Sequence, residues 1–370
     1  MERGRLREEQ IDAFRAGLAW KKVSDLLAAV FHGPGEMEVT EVDKPEVGPD
    51  EVLIKVGANT VCGTDVRIMR GQKTSGVRRP SIIGHEFAGR IEEVGERVEE
   101  YKQGMPVAVA PTIPCHRCYY CQHGMENVCD NKRRLGYELD GGLGEYVRIP
   151  ADGVKAGNVF AVKGDLPAEH LALAEPLACC INGQRQTPVR LNDTVLVMGA
   201  GPIGLFHLQL ALLSGAETVI VSQPSAPRRR FAASLGAHLT VNPTDEDLSS
   251  VIREVTGGLG VDVAIVCIGR PQLVNDALGL TRKGGSVNIF AGLSGEGWAE
   301  LEANRIHYDQ LKVTGVSDCS RSDYGDALRL IESGRVDVSQ MVTHNFPLEE
   351  VNAALDSTAN GEGIKAAVLP

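Results

Sequence analysis

The feature that most constrains the fold is a strand, a glycine turn and a helix in the middle of the chain. The apolar, β-branched run at 194–198 ends in a G-x-G-x-x-G motif, and an apolar helical pattern follows at 205–213. Such glycines make a tight turn, admit a pyrophosphate and let the helix pack on the strand. The alternative, an ordinary strand-to-helix turn, fits the flanking elements less well. The motif predicts a dinucleotide-binding site, formed by Gly199, Gly201, Pro202, Ile203 and Gly204.

Further short apolar runs surround this motif and alternate with helical segments. The predicted strands are 194–198, 218–221, 239–241, 261–266, 287–290 and 311–316. Alternation of this kind is typical of parallel βαβ units. The pattern predicts an α/β domain with a doubly wound parallel sheet.

Length and charge limit the classes of protein that remain. A chain of 370 residues is long enough for two domains with ample core. The net charge of -11 argues against nucleic-acid binding, which needs clustered basic surface. The sequence contains no run of 18 apolar residues, so no membrane span is predicted. The nine cysteines do not follow a secreted disulfide framework, so we expect a cytoplasmic protein.

The chain before the glycine motif has two parts. Residues 1–25 form an N-terminal extension in which Ile11, Phe14 and Leu18 recur at helical spacing between charged residues. From residue 26 to about residue 150, short alternating runs separated by Gly, Pro and Asp turns follow. This pattern predicts a small, mostly β domain with partly open barrel character.

Four cysteines lie close together in the segment PCHRCYYCQHGMENVC. Their spacing is x2, x2 and x7, which lets four thiolates close a tetrahedral shell around one zinc ion. An iron–sulfur cluster is less favoured because no proline follows the last cysteine and no second cluster motif exists. Disulfides are less favoured in a cytosolic chain. The predicted structural zinc ligands are Cys115, Cys118, Cys121 and Cys129.

A second group of candidate ligands is dispersed along the chain. Cys62 lies in VCGTD, His85 and Glu86 lie in GHEFAG, and Glu175 lies in EPLACC. Taken singly, each has an ordinary explanation: a small buried thiol, a polar turn, or a carboxylate at a helix start. Their joint meaning comes from a resemblance.

Five motifs in order, VCGTD, GHEFAG, the cysteine segment, EPLACC and GAGPIG, resemble those of the zinc-containing medium-chain dehydrogenase/reductase superfamily. The resemblance covers residues 26–370 and is closest to the sorbitol dehydrogenase-like branch. It implies a GroES-like, mostly β catalytic domain into which a Rossmann domain is inserted. The implied limits are 26–177 for the first catalytic part, with a structural-zinc lobe at 111–131, 178–317 for the Rossmann domain, and 318–370 for the closing part.

The resemblance also assigns roles at a catalytic zinc. Cys62, His85 and Glu175 are its implied ligands, with Glu86 as a ligand or exchangeable partner. Zinc lowers the pKa of a bound alcohol, and hydride then passes to a nicotinamide. Thr64 stands where the family uses a hydroxyl to pass the proton outward. Arg67 replaces a relaying histidine of several relatives, and a guanidinium does not release its proton near neutral pH.

The coenzyme-specific position departs from the family pattern. NAD-preferring members carry an acid after the second strand, about 20 residues past the glycines. Here Ser222 is followed by the neutral Gln223, and three arginines begin the next helix: Arg228, Arg229 and Arg230. A guanidinium can pair with the 2′-phosphate of NADP, whereas a solvated arginine face is the alternative. We therefore expect NAD(P) as coenzyme, with NADP accepted at least as well as NAD.

The substrate-specific position also departs. Where sorbitol dehydrogenases hold their polyol with an Arg-Tyr pair, this chain has Asp318 and Cys319. The resemblance implies oxidation of a secondary alcohol (polyol, cyclitol or sugar-like) to a ketone, by a homodimer or homotetramer. The alternatives are an L-threonine dehydrogenase-like reaction, for which Asp318 would attract a substrate cation, and a non-catalytic nucleotide-binding structural protein.

Overall fold

The computed structural model describes residues 26–293 and 297–370. The predicted N-terminal extension, residues 1–25, lies outside the described residues. Among the helices of the described residues, none combines the length and the apolar composition that crossing a bilayer requires.

The strands of the described residues, in chain order, are β1 (Leu26–Gly33), β2 (Glu36–Val42), β3 (Val52–Thr60), β4 (Ser81–Ile82), β5 (Glu86–Val94), β6 (Pro106–Val109), β7 (Thr112–Ile113), β8 (Arg133–Arg134), β9 (Tyr146–Ile149), β10 (Val159–Ala161), β11 (Thr194–Met198), β12 (Thr218–Ser222), β13 (Leu239–Val241), β14 (Val261–Val266), β15 (Thr281–Ile289), β16 (Lys312–Gly315), β17 (Val342–Pro347) and β18 (Lys365–Leu369). The α-helices are α1 (Gly63–Met69), α2 (Tyr119–Gln122), α3 (Ala151–Ala156), α4 (Ala168–Ala172), α5 (Ala174–Gln186), α6 (Pro202–Leu213), α7 (Ala226–Ser234), α8 (Leu248–Val255), α9 (Gln272–Leu280), α10 (Ala303–Tyr308), α11 (Arg321–Glu332) and α12 (Val351–Asn360).

The first part of the chain builds mostly antiparallel sheets. A seven-stranded sheet runs in the order β10-β6-β5-β3-β18-β17, with β9 also paired to β3. A three-stranded sheet, β2-β1-β4, lies beside it, and β7 pairs with β8. Because β18 pairs with β3, the end of the chain returns to the sheet that its beginning built.

The middle of the chain forms a six-stranded parallel sheet in the order β13-β12-β11-β14-β15-β16. This is the doubly wound order, in which ligands bind where the strand order reverses, at the carboxyl ends of the strands. Here the reversal lies between β11 and β14, directly beside the glycine turn. The predicted fold class, a GroES-like mostly β domain plus a Rossmann domain, is confirmed.

The helices α5 and α11 connect these two parts. One hydrophobic cluster contains buried side chains from both helices and from a strand of each part: Ala88 of β5, Leu177 of α5, Val197 of β11 and Tyr324 of α11. The helix α5 crosses the limit implied between residues 177 and 178. The two parts therefore share a helix at this point, and the domain limits stay a prediction.

The strand predictions for the parallel sheet agree with the structure at 194–198, 239–241 and 261–266. The strand β15 begins at Thr281, well before the predicted start at 287. Its first half contains Gly284 and Gly285, and glycines within a strand resemble a turn in sequence.

Candidate active site

The register of two central strands brings Cys62 and His85 together. Thr60, at the end of β3, pairs with Glu86, at the start of β5. Cys62 follows the first strand by two residues, and His85 immediately precedes the second. The ligand atoms of Cys62, His85 and Glu86 consequently lie within 4.8 Å of one another.

Asp65 contacts both of the first two candidate ligands. Its Oδ2 accepts a hydrogen bond from the backbone N–H of Cys62 at 2.9 Å, in a capping box at the start of α1. Its Oδ1 lies 3.3 Å from Nδ1 of His85. A proton on Nδ1 leaves Nε2 free to bind a metal, which is the usual arrangement of metal-binding histidines. Asp65 was not among the residues predicted from the sequence, although its position three residues after Cys62 is a capping signal.

The carboxylate of Glu86 is held by a buried cation. Nζ of Lys365, on β18, lies 2.9 Å from Oε1 and 2.6 Å from Oε2 of Glu86. The hydroxyl of Thr60 donates to the same carboxylate. Lys365 is separated from Glu86 by 279 residues, so no local pattern identifies this pair.

Glu175 lies in the first turn of α5 and belongs to a second, adjacent group. Its Oε1 accepts a hydrogen bond from the Cys179 thiol at 3.6 Å, and Cys319 completes a set of ligand atoms within 4.8 Å. Burial, together with the carboxylate of Glu86, raises the pKa of Glu175 to about 8. The structure thus groups Glu86, rather than Glu175, with Cys62.

A thiolate, an imidazole and a carboxylate are donors that zinc takes in catalytic sites with three protein ligands and one open position. The donor set of Cys62, His85 and Glu86 therefore fits the implied zinc. Thr64, partly exposed in the first turn of α1, lies two residues from the thiol. Arg67, in the last turn of that helix, reaches toward the Rossmann domain, where a Cβ added at Gly292 would lie 3.8 Å from its Nη1.

The four cysteines of the predicted structural site also come together. Their sulphur atoms lie within 4.8 Å of one another, and none of the nine cysteines, all of which are described, forms a disulfide. A backbone hydrogen bond from Arg117 lowers the pKa of Cys115 to about 6. Burial raises the pKa of Cys121 to about 12. A closed set of four sulphurs fits a structural zinc, whose charge would hold all four ionised.

The glycine turn has the shape that a pyrophosphate needs. Gly199 has a φ of +113°, and a Cβ at Gly204 would lie 1.9 Å from the carbonyl oxygen of Gly199. A Cβ at Gly201 would meet open space, which is where a phosphate can approach the backbone. Pro202 begins α6, and the carbonyl of Ile203 accepts a hydrogen bond from the Cys180 thiol at 3.7 Å. Because α5 also carries Glu175, this helix joins the turn to the group of Glu175, Cys179 and Cys319 that lies next to the metal ligands.

The side chains predicted to contact the coenzyme after β12 have different surroundings in the structure. Ser222 and Gln223 are buried, and Oε1 of Gln223 accepts from the backbone of Ser225 at 3.1 Å. Nη2 of Arg228 donates to the carbonyls of Gly361 and Gly363, at 2.8 and 2.9 Å, in the catalytic part.

Arg229 lies on the same helix, α7, but its side chain folds back onto the loop after β12. Its Nη1 donates to the carbonyls of Gln223 and Pro224, at 2.7 and 2.5 Å. A cavity of about 560 Å³ opens beside this loop, with Ser222, Arg270 and Glu246 in its wall. Of the two arginines, Arg229 is therefore the one that contacts a residue of the cavity wall, Pro224.

The interpretation of Asp318 as a free site for a substrate cation is wrong. Its Oδ2 accepts from the hydroxyl of Thr112 at 2.8 Å and lies 3.3 Å from Nζ of Lys132. Its Oδ1 accepts from the backbone of Cys319 at 2.8 Å. The carboxylate is thus used to fix its own loop.

Two family models match the chain: the alcohol dehydrogenase GroES-like domain at residues 48–157 and zinc-binding dehydrogenase at residues 202–333. L-Threonine 3-dehydrogenase of Thermococcus kodakarensis is 35% identical over 84% of this chain and 87% of its own length. D-Arabitol-phosphate dehydrogenase of Enterococcus avium is 32% identical over 91% and 94%. The NADP-bound crystal structure of a protein from Sinorhizobium meliloti 1021, assigned to the zinc-binding dehydrogenases, matches with a TM-score of 0.88 and 34% identity, over 94% of this chain and 100% of that one.

The chain belongs to the zinc-containing medium-chain dehydrogenase/reductase superfamily, as its motifs predict. It is an oxidoreductase that acts on alcohols with zinc and NAD(P), and the alternative of a non-catalytic structural protein is set aside.

Proposed function

We propose that the chain transfers hydride between NAD(P) and a secondary alcohol that carries further hydroxyl groups, with a ketone as the product. The observation that carries this proposal is the cluster of Cys62, His85 and Glu86, whose ligand atoms lie within 4.8 Å of one another. The helix α5 lies between that cluster and the glycine turn: Glu175 is close enough to His85 and Glu86 for their charges to interact, and Cys180 donates to the carbonyl of Ile203 in the helix that follows the turn.

In this proposal, zinc supplies a Lewis acid that lowers the pKa of the bound alcohol. Other side chains of the protein position the zinc ligands and balance their charge. Asp65 fixes the imidazole of His85, and Lys365 balances the charge of Glu86. The hydroxyl of Thr64 accepts the alcohol proton while its own proton passes to water, because Arg67 keeps its own proton at neutral pH.

A second candidate is oxidation of L-threonine at its hydroxyl-bearing carbon. The 35% identity to a threonine 3-dehydrogenase supports it. The pairing of Asp318 with Lys132 removes the carboxylate that would have attracted the ammonium group. A panel of polyols, cyclitols, polyol phosphates and L-threonine, followed by NAD(P)H absorbance, separates the candidates.

The metal sites are tested by zinc analysis of the wild type and of Cys62→Ala. We expect two zinc ions per chain in the wild type and one in the variant. Turnover should fall by more than about 100-fold, since even loss of an outer partner of a zinc ligand costs up to about that much. The melting temperature should stay close to the wild-type value because Cys62 is only partly buried and lies outside the structural-zinc lobe. Near-wild-type turnover of Cys62→Ala with zinc in excess would refute the site.

We also propose that the protein works in the cytoplasm as a homodimer or homotetramer. The free thiols of all nine cysteines support the reducing compartment. Sedimentation of the purified protein tests the assembly, and a monomer at micromolar concentration contradicts it.

A further inference from the structure

Four cationic side chains lie close enough for their charges to interact, and one of them, Arg134, shares an aromatic neighbour with a candidate metal ligand. We refer to Arg67, Lys73, Lys132 and Arg134 as the basic group. Arg67 ends α1, and its carbonyl accepts the backbone N–H groups of Gln72 and Lys73, so the loop that carries Lys73 starts at the end of this helix. The other two residues follow the four-cysteine lobe, and Arg134 lies on β8.

Tyr137 connects the basic group to the metal ligands. Its ring lies 5.2 Å from the ring of His85, centroid to centroid. The guanidinium carbon of Arg134 lies 4.3 Å from the same tyrosine ring. The guanidinium of Arg134 and the imidazole of His85 therefore both lie against the ring of Tyr137, and a polyol of a few carbons can span the distance between them.

The loop that carries Lys73 packs against the segment that carries Arg134 and Tyr137. The backbone N–H of Arg78 donates to the carbonyl of Tyr137 at 2.9 Å. A Cβ added at Gly76 would lie 2.6 Å from Nη2 of Arg134. The two segments of the basic group are thus in contact.

The charges of the basic group are only partly balanced. Arg134 pairs with Glu138 at 2.9 Å, and Lys132 pairs with Asp318 at 3.3 Å. Among the described residues, no carboxylate pairs with Arg67 or Lys73; Nζ of Lys73 donates to the carbonyl of Ser75 at 2.9 Å.

Four cations therefore face two carboxylates, which leaves two positive charges in excess. Burial first, and then repulsion from the other members of the basic group, lowers the pKa of Lys73.

We propose that the basic group binds a phosphoryl group of the alcohol substrate, so that the substrate is a phosphorylated polyol or sugar. The inference rests on the proposed alcohol oxidation at Cys62 and His85. A phosphate monoester carries a charge of about −1.5 to −2 at neutral pH, which matches the two positive charges in excess. Its three acceptor oxygens can take hydrogen bonds from both cations that lack a carboxylate partner, Arg67 and Lys73. A carboxylate needs only one guanidinium, as the pair of Arg134 with Glu138 illustrates.

The test compares zinc-loaded wild type, Lys73→Met, Lys73→Arg and the control Lys102→Met, which changes an exposed lysine elsewhere. The substrates are a pentitol phosphate, a hexitol phosphate, their unphosphorylated alcohols and L-threonine. We expect the wild type to prefer a phosphorylated alcohol over its parent. In Lys73→Met, kcat/KM for that substrate should fall by about 10- to 100-fold, mainly through KM, since one charge-assisted contact is lost.

The loss should be much smaller with the unphosphorylated parent, and Lys73→Arg should restore most of the preference. Lys102→Met should behave as wild type. Inorganic phosphate should inhibit competitively against the alcohol in the wild type and more weakly in Lys73→Met.

Three outcomes overturn the assignment. In the first, the wild type oxidises unphosphorylated alcohols with the same efficiency as phosphorylated ones; the phosphate assignment then fails and the proposed function stands. In the second, L-threonine is the preferred substrate and its oxidation is slowed in Lys73→Met, so that the basic group binds a carboxylate. In the third, Lys73→Met raises KM for the coenzyme alone, so that the basic group belongs to the coenzyme site. If no alcohol on the panel is oxidised, the proposed function fails as well.

Discussion

Arg228 and Arg229 are sequence neighbours with different partners. The first reaches across to the carbonyls of Gly361 and Gly363, and the second folds back onto the loop after β12. Consecutive helical positions point in directions that differ by about 100°, so one side chain can join two domains while the next contacts the loop that follows β12. The two residues should therefore affect coenzyme binding in different ways.

The coenzyme preference tests this difference. We expect the wild type to accept NADP at least as well as NAD, because Gln223 removes the acid that would repel a 2′-phosphate. Arg229→Ala should raise KM for NADP by about 10-fold or more with little change for NAD, which corresponds to one charge-assisted contact. Gln223→Asp should shift the preference towards NAD. Initial rates with both coenzymes measure these effects.

Arg228→Ala is the matched control. Because this arginine holds a turn of the catalytic part, its loss should affect both coenzymes alike or lower the melting temperature. A wild type that strongly prefers NAD would contradict the role given to Gln223.

At this scale the sequence identified residues whose neighbours form a local motif. Cys62, His85 and the three glycines lie in short motifs, so they were found. Lys365 and Tyr137 were missed because their partners are distant in sequence and their roles depend on burial. The assignment of Asp318 failed because no pattern in the sequence shows that Lys132 and Thr112 lie beside it.

Among the elements, the four-cysteine lobe is tied to the loop before α11. Nδ2 of Asn127 donates to the carbonyl of Ser317 at 3.0 Å. Oε2 of Glu126 accepts from Nε of Arg321 at 3.0 Å, and Oε1 accepts from the backbone of the same residue at 2.9 Å. The loop between them carries Cys319, which lies beside Glu175. The lobe therefore supports one side of the active site.

Removal of the structural zinc should affect stability and substrate binding together. In Cys118→Ala we expect the melting temperature to fall by several degrees, because the metal organises a lobe that contributes little to the core. KM for the alcohol should rise more than kcat falls. Calorimetry and steady-state rates on the same preparation measure both.

Cys62→Ala provides the contrast, since it should lose turnover with little change in melting temperature. An unchanged melting temperature for Cys118→Ala would contradict the structural role.

The elements that the sequence predicted well are those with strong periodicity. The apolar strand β11 and the helix α6 that follows the glycine turn were identified because both are buried and bounded by glycines. The early part of β15 was missed because its glycines resemble a turn. The crossing of α5 between the two parts could not be predicted, since its apolar residues belong to one cluster that both parts share and show no boundary.

Across the whole molecule, the two halves of the catalytic part meet at a buried ion pair. Lys365 on β18 neutralises Glu86 on β5, and both side chains are almost fully buried. A buried charge that loses its partner is strongly destabilising. The pair therefore links the stability of the catalytic sheet to the return of the chain end.

Lys365→Met should lower the free energy of unfolding of the zinc-free protein by about 3–5 kcal/mol. The second change Glu86→Gln should recover much of that loss, because the unpaired charge disappears. Urea unfolding followed by fluorescence measures both variants. A loss below about 1 kcal/mol for the single variant, or no recovery in the double variant, would contradict the pairing.

The return of β18 to β3 has a consequence for biosynthesis. Domains of a growing chain fold as units while synthesis proceeds at about 5–20 residues per second. The parallel sheet ends with β16, so the nucleotide-binding part can fold while the ribosome is still translating. Glu86, by contrast, waits for a partner 279 residues downstream. The surroundings of Glu86 are therefore complete only after residue 365 has been synthesised and β18 has paired with β3, and chains that terminate before β18 remain inactive.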